Sequence, residues 1–308
     1  MNLQQLRYLN EIVRQGLNIS SAAEALFTSQ PGISKQIKQL EEELGIEIFV
    51  RSGKRIVAIT EPGKVVLSIA QRMLHDANNL KQVGQAFCAQ DAGILTVAAT
   101  HTQARYALPP AVKQFMGRYP KVKLGLHQGS PTQIAEQVLH GEADLCIATE
   151  SLVLYEGLVT LPCYEWHHCL ITPPEHPLLK ENVLTLAKIA QYPIVTYDFA
   201  FSGRSKINDA FAKAGVTPDI VLSAIDADVI KTYVELGLGV GILAEIAFVP
   251  QREPHLCKIN TRHLFEANTT RIAIRKNEYL RAYTYDFIEL FSPHLTRKVV
   301  TDAMQCST

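Results

Sequence analysis

Thr100-His101-Thr102-Gln103-Ala104-Arg105-Tyr106 crowds two threonine hydroxyls, an imidazole, an amide and a guanidinium together, with no carboxylate among them. The run follows the apolar Gly93–Ala99, which reads as a buried strand. Polar groups at the carboxyl end of a strand are where α/β proteins hold ligands. Two further runs have the same placement: Thr149-Glu150 after Asp144–Ala148, and Phe201-Ser202-Gly203-Arg204-Ser205 after Ile194–Tyr197. Catalysis finds little support. There is no G-x-S-x-G elbow, no Ser-His-Asp order, no dinucleotide fingerprint and no P-loop. His167-His168-Cys169 has metal-ligand chemistry, but neighbours on a strand point to opposite faces and do not converge on one ion. No catalytic residue, metal or cofactor is expected. Holding fits better. Thr100, Thr102 and Gln103 offer neutral donors beside the free N–H groups of a helix start, and Ser202-Gly203 reads as an anion nest. Such a site suits a small anion or an acyl amino acid. Glu150 would repel an anion unless it points elsewhere or accepts from an ammonium or amide on the ligand. On a helix starting at Thr102, Arg105 could face away and serve structure.

The elements around these runs alternate. Strands are expected at Ile94–Ala99, Val122–His127, Asp144–Thr149, His168–Thr172, Ile194–Tyr197, Ile220–Ala224, Val240–Leu243 and Arg271–Arg275, with helices between them. Ser130, Pro131 and Gly141 bound one helix, and Asp226 with Gly237 or Gly239 another. That alternation predicts doubly wound α/β sheets, long enough for two small ones with a cleft between.

The first ninety residues differ. Ser21 and Glu24 form a capping box for a helix ending near Phe27. Thr28 then caps a second helix that carries Pro31 in its first turn and stops at Gly45, which makes a helix-turn-helix. In the second helix Ile33, Ile37, Leu40 and Leu44 share one face; Pro31, Ser34, Lys35 and Lys38 share the other, free of acids. A major-groove reader needs that division. The segment from Ile48 to Thr60 alternates like a hairpin and carries Arg51, Lys54 and Arg55, the wing of a winged helix-turn-helix whose cations would neutralise phosphates. From Thr60 a long helix repeats Val66, Ala70, Met73, Ala77, Leu80, Gly84 and Phe87 at steps of four and three, a seam for a partner helix. Thirty basic and thirty acidic residues balance across the 308, so the DNA signal lies in local segregation of charge. The amino terminus is no signal peptide, no run is long enough to span a bilayer, and six scattered cysteines suit a reducing cytosol, so a cytoplasmic protein is expected.

Ala22–Arg51, AAEALFTSQPGISKQIKQLEEELGIEIFVR, resembles the amino-terminal signature of LysR-type transcriptional regulators, and TEPGK (Thr60–Lys64) follows as in that family. The resemblance implies a winged helix-turn-helix head at 1–60, a linker and dimerisation helix at 61–89, and an effector region like a periplasmic binding protein. That region would have two α/β subdomains, 93–163 plus 268–292, and 164–267, with crossings near Pro162–Glu165 and Glu266–Thr269. It further implies double-stranded promoter DNA, RNA polymerase and a homodimer or homotetramer as partners. The DNA-contacting set would be Ser29, Gln30, Pro31, Ser34, Lys35, Lys38, Arg51, Lys54 and Arg55. THTQARYALP, HQGSPTQIAE, LPCYEW, SGRS and SPHLTR are similar to the branch that activates cysteine-biosynthesis genes, over Leu3 to about Arg297. What that branch binds, sulfate or an acetylated serine (N-acetylserine or O-acetylserine), would here meet Thr100, Thr102, Gln103, Thr149, Trp166 and Ser202, the last usually threonine there. Paralogous regulators of sulfonate use share THTQARY, so this motif does not separate the two branches.

Overall fold

The computed structural model describes residues 1–53, 55–88, 92–199, 201 and 203–306. Lys54, Ser202 and the side chains of Phe87 and Glu150 lie outside the described part. The chain divides into two units, Met1–Cys88 and Ala89–Thr308.

In the first unit, α1 (Leu3–Arg14) starts at a capping box in which Asn2 and Gln5 accept each other's backbone N–H. Helix α2 (Ile19–Ala25) is capped by Asn18, which accepts the N–H groups of Ser20 and Ser21. The expected Ser21–Glu24 box is therefore not what starts it. Gly16 and Leu17, both at positive φ, end α1 early and leave Asn18 extended, ready to cap. Helix α3 (Gln30–Leu44) is capped by Ser29 rather than Thr28, through the Gly32 N–H at 3.3 Å, and ends at left-handed Gly45. Phe27 takes a left-handed φ of 51°, which moves the cap one residue along. Leu9, Ile12, Ala22, Ile33, Ile37 and Leu40 fill the core between the three helices.

The wing is an antiparallel pair, β1 (Phe49–Ser52) and β2 (Arg55–Ile59). Helix α4 (Glu61–Cys88) follows from Thr60, whose hydroxyl donates to Glu47 O and accepts the Gly63 N–H at 2.9 Å. Gly63 has no room for a side chain: a Cβ there would lie 2.2 Å from Ile48 O. The expected seam on α4 divides. Val66 and Ala70 pack on the core of their own unit with Leu67 and Leu74, while Val65, Ile69, Met73 and Leu80 stay exposed. The free apolar stripe is thus rotated from the strict heptad, because α1 claims one flank of α4 through contacts such as Gln71 Nε2 to Asn10 Oδ1.

The second unit holds two five-stranded sheets. In chain order come β3 (Ala92–Ala99), a π-helical turn (Gln103–Ala107), α5 (Leu108–Arg118), β4 (Lys121–Gln128), α6 (Pro131–Leu139), β5 (Leu145–Ala148) and β6 (Leu158–Trp166). Then come β7 (His168–Thr172), α7 (Leu186–Ile189), β8 (Ile194–Tyr197), α8 (Arg204–Lys213), β9 (Ile220–Ala224), α9 (Ala227–Glu235), β10 (Val240–Ala244) and β11 (Cys257–Asn260). Last are β12 (Asn268–Arg275), α10 (Ala282–Phe291) and α11 (Arg297–Cys306). The first sheet runs β4-β3-β5-β12-β6 and the second β11-β7-β10-β8-β9. Within each, three neighbouring strands pair in parallel, joined by helical crossovers, a fourth (β12 or β7) runs against them, and the edge strand β6 or β11 pairs antiparallel to that one.

Strands β6 and β11 are additions to the expected set. Strand β6 carries Pro162, which argues against a strand, but it is the sheet edge and Pro162 faces a register shift between Thr270 and Arg271. An edge strand at a bulge tolerates the missing N–H. Because β6 runs to Trp166 and β7 begins at His168, the chain crosses between sheets at His167, beyond the expected Pro162–Glu165. Asn268, the first residue of β12, pairs with Trp166, so the outward and return crossings lie side by side. Helices α10 and α11 pack on the first sheet through Phe287, Ile288, Leu295 and Val300. Among the described residues no helix is long and apolar enough to cross a membrane.

Candidate functional site

The first unit presents one coherent polar surface. Ser29, Gln30 and Pro31 are exposed at the start of α3, Lys35 and Lys38 are exposed one and two turns on, and Ser34 is half-buried. A groove of about 520 Å³ runs between Asn18 and Ser20 of α2, Gln30 of α3, and Arg55 and Val57 of the wing. Two expected cations are partly committed. Lys38 lies 3.6 Å from Glu42 with both side chains exposed, a weak pair that phosphate can displace. Arg51 is bound to Glu41 at 2.9 Å, and Glu41 also accepts the N–H groups of Ile48 and Phe49. Arg51 therefore ties the wing to α3 before it can serve DNA. Phe27 is a candidate that periodicity does not single out. It is 99% exposed at φ 51°, a conformation that costs a non-glycine residue about 1–2 kcal/mol. An aromatic ring offered to solvent beside Thr28-Ser29-Gln30 can pack on a thymine methyl.

In the second unit, the ends of β3 and β5 lie side by side. Thr100 leaves β3 with its N–H on Ile147 O of the neighbouring β5 at 3.2 Å, so Thr100 and Thr149 cap adjacent strands, and both are buried. Thr102 is buried and its Oγ1 completes no hydrogen bond. Beside it lies the Tyr197 hydroxyl at the end of β8, which accepts the Ala244 N–H; burial pushes its phenol far up, so it stays neutral. Trp166, at the end of β6, is buried with its Nε1–H unpartnered, its ring edge-on to His168 at 5.1 Å. Two buried donors without acceptors are costly to leave so and call for an acceptor-rich occupant. None of Thr100, Thr102, Thr149, Trp166 and Tyr197 is charged.

Gln103 is partly engaged. Its Nε2 donates to Thr270 Oγ1 at 3.1 Å and its Oε1 accepts from the Tyr164 hydroxyl at 2.6 Å. One Nε2–H and the Oε1 are used within the protein, so Gln103 anchors the turn and keeps one amide hydrogen to offer. The Phe201–Ser205 nest is partly used as well. The Arg204 N–H bonds Phe201 O, and the buried Arg204 guanidinium bonds Tyr197 O and Asn208 while stacking on Phe199. Gly203, at φ 69°, is required there because a Cβ would meet Asn268 Oδ1 at 2.1 Å. Asn268 is fully buried and its Oδ1 has no partner, a further polar atom that sequence spacing does not reveal.

Arg105 does turn away from the hydroxyls, to Asp228 of α9 at 2.6 Å. His101, Asp226 and Asp228 bring ligand-type atoms within 4.8 Å of one another. Asp226 already caps α9, and Asp228 already faces Arg105 and Lys231, so a metal ion would have to displace both cations. Burial pushes the thiols of Cys146, Cys163 and Cys169 up to about 12, which leaves them inert.

Both parts of the chain match known protein families. Residues 3–64 match the family described as bacterial regulatory helix-turn-helix protein, lysR family, and residues 89–296 match the LysR substrate binding domain. The chain is 56% identical over 305 residues to the transcriptional regulator CysB of Burkholderia cenocepacia, covering 99% of this chain and 97% of that one. It is 55% identical to SsuR of the same organism, with 99% of each covered, and 48% identical to the regulator cbl of Escherichia coli over 96% of this chain and 94% of that one. The crystal structure of the cofactor-binding domain of the Cbl transcriptional regulator superposes with a TM-score of 0.67 at 46% identity, covering 70% of this chain and 94% of that one. A full-length OxyR variant of Pseudomonas aeruginosa, at 23% identity and a TM-score of 0.67 over 100% of this chain and 94% of that one, shares the fold. The chain belongs to the LysR family of DNA-binding transcriptional regulators.

Proposed function

We propose that the chain regulates sulfur-assimilation and cysteine-biosynthesis genes as an activator, by reading a small oxyanionic effector between its two α/β subdomains. N-acetylserine, O-acetylserine and sulfate are the effectors this reading names. The observation that carries it is the pair of buried, unpartnered donors, Thr102 Oγ1 and Trp166 Nε1, at sheet ends where Thr100 and Thr149 also emerge. A site of neutral donors holds an anion without a covalent step, so no reaction is assigned to it. Ser202 completes the set in this reading. The identity to CysB-named relatives supports the assignment to cysteine supply, and the nearly equal identity to SsuR supports a second reading, regulation of sulfonate use.

In the head, Ser29, Gln30, Pro31, Ser34 and Lys35 would face base edges and phosphates, with Lys38, Lys54 and Arg55 adding charge. The exposed stripe of α4 would join two copies, and two dimers a tetramer that meets RNA polymerase in the cytoplasm. Effector binding would change subdomain closure and hence the spacing of the heads. Calorimetry of the full chain with N-acetylserine, O-acetylserine, sulfate and an alkanesulfonate, beside Thr102→Ala, tests the effector. Heat from one ligand that Thr102→Ala abolishes supports the reading. Equal heat from the variant would refute the site, and a response to the alkanesulfonate alone would favour the second reading.

A further inference from the structure

We propose that Tyr106 is the positioning residue that couples the effector-facing turn of the first subdomain to the second, by seating its ring in the second subdomain's core and sharing its hydroxyl between Asp228 and Lys231. The inference rests on the effector reading above for its consequence, but the contact itself is independent of any ligand.

Tyr106 belongs to the chain segment that leaves β3, yet it packs with the core of the second sheet, against the cluster built from Ile171, Val195 and Ile230. Its hydroxyl donates to Asp228 Oδ1 at 2.6 Å and accepts from Lys231 Nζ at 2.7 Å. Arg105 adds a charge on the other Asp228 oxygen at 2.6 Å. Lys231 is buried and is held in turn by Glu253 at 2.6 Å and Ala247 O at 3.1 Å. Burial pulls the Lys231 ammonium down, but Glu253, Tyr106 and Asp228 outweigh it and keep it charged. Burial pushes the Asp228 carboxyl up, and Tyr106, Lys231 and Arg105 together hold it below its ordinary value.

Two features make this a coupling rather than a fixed strut. First, Lys231 keeps Glu253, and Asp228 keeps Lys231, if Tyr106 withdraws. No buried charge is orphaned, so separation costs the burial of one ring and strands no ion, and water can replace one hydroxyl. Second, Tyr106 shares one π-helical turn with Gln103, which follows Thr102 directly. A π-turn is a rare segment found often at functional sites. Gln103 fixes its base to β12 and β6 through Thr270 and Tyr164. Thr102 and Tyr106 thus flank one pinned turn, so a ligand that ties Thr102 down restrains the same turn that carries Tyr106.

The test uses the full chain and Tyr106→Phe, which keeps the ring in the core and removes only the hydroxyl. Hydrogen exchange without ligand is expected to quicken at 101–108 and 227–236 together, while the head at 3–44 is unchanged. N-acetylserine and sulfate are the probes for the second arm. Each that binds should protect 227–236 in the wild type, and this protection should be lost in Tyr106→Phe while 101–103 remains protected. Affinity should fall by about three- to tenfold, the range for one hydrogen bond. In a cycle with Asp228→Ala, the double variant should bind no more weakly than Asp228→Ala alone. Unchanged exchange at both segments, or fully additive losses, overturns the proposal. Failure of both probes to bind the wild type defeats the effector reading only, since exchange without ligand still judges the coupling. Quickened exchange across β3 and β8 as well would mean general loosening and also overturns it.

Discussion

At the scale of single residues, the proposed effector site divides into groups it would offer to a ligand and groups that bond each other. Thr100, Thr102 and Thr149 were legible in sequence because each closely follows an apolar strand. The engagement of Gln103 was not, because its partners Tyr164 and Thr270 stand 61 and 167 positions away. Asp144 shows the same limit. It opens the turn into β5, and its carboxyl accepts the Thr96 N–H at 2.6 Å. Burial pushes its pKa up to about 6, against the pull of Thr96 and with help from Glu278. The folded pKa lies above the unfolded value of about 3.9, so the folded state holds the proton longer. The contribution of Asp144 to stability is therefore fully present below about pH 4, falls as pH rises from about 4 to about 6, and is lost above, by about 3 kcal/mol in all. Asp144→Asn retains an acceptor for Thr96 and removes the titration. Urea midpoints at pH 4.5 and 7.5 should differ for the wild type and nearly coincide for the variant, which should be the more stable at pH 7.5. A wild-type midpoint that rises with pH over this range would contradict the enclosed carboxyl.

At the scale of elements, periodicity and capping located most helices and strands, and the misses have local causes. Asn18 outcompetes Ser21 because the left-handed pair Gly16-Leu17 delivers it to the helix start. Strand β6 hides behind Pro162 because edge position and a register shift cannot be read from one strand alone. The wing illustrates a role split. Arg51 is committed to Glu41, whereas Arg55 is exposed on the groove. Arg55→Ala should weaken promoter binding and lower the log–log salt slope by about 1, with no change in thermal midpoint. Arg51→Ala should lower the midpoint of the head as well, because Glu41 loses the cation that orients it toward the Ile48 and Phe49 N–H groups. Equal effects of the two variants on stability would remove the distinction. Gly63 is the sharper case: Gly63→Ala places a methyl 2.2 Å from Ile48 O, a backbone atom that cannot swing aside. The joint between wing and α4 must shift, at a cost of about 2 kcal/mol or more. Circular dichroism melts of the full chain should show the head transition lowered and that of the α/β unit unmoved.

At the scale of the whole molecule, the open question for the first unit is what covers α4. Val66 and Ala70 are occupied by their own core, which leaves Val65, Ile69, Met73 and Leu80 in water, Leu80 with 74% of its surface exposed. Spacings of four, four and seven keep these residues on one side of the helix. A stripe of large apolar side chains on a 28-residue helix is a poor solvent face and a good helix-pairing face. A symmetric pair would place two α3 helices on one duplex, the arrangement that makes helix-turn-helix sites palindromic. Ile69→Asp with Leu80→Asp tests this, because neither side chain lies in the head's buried core and the head should stay folded. Sedimentation should then find the variant as monomer at concentrations where the wild type is dimer or larger. Promoter affinity should fall by at least about a hundredfold, since the second half-site contact no longer benefits from linkage. Val66→Ala is the counterpart. It thins the packing of α4 on α1 and should lower the head's melting midpoint while leaving self-association intact. If instead the double aspartate variant stays associated, neither this stripe nor the strict heptad, which share Leu80, is the pairing face. The exposed stripe would then need another explanation than a second copy of the chain.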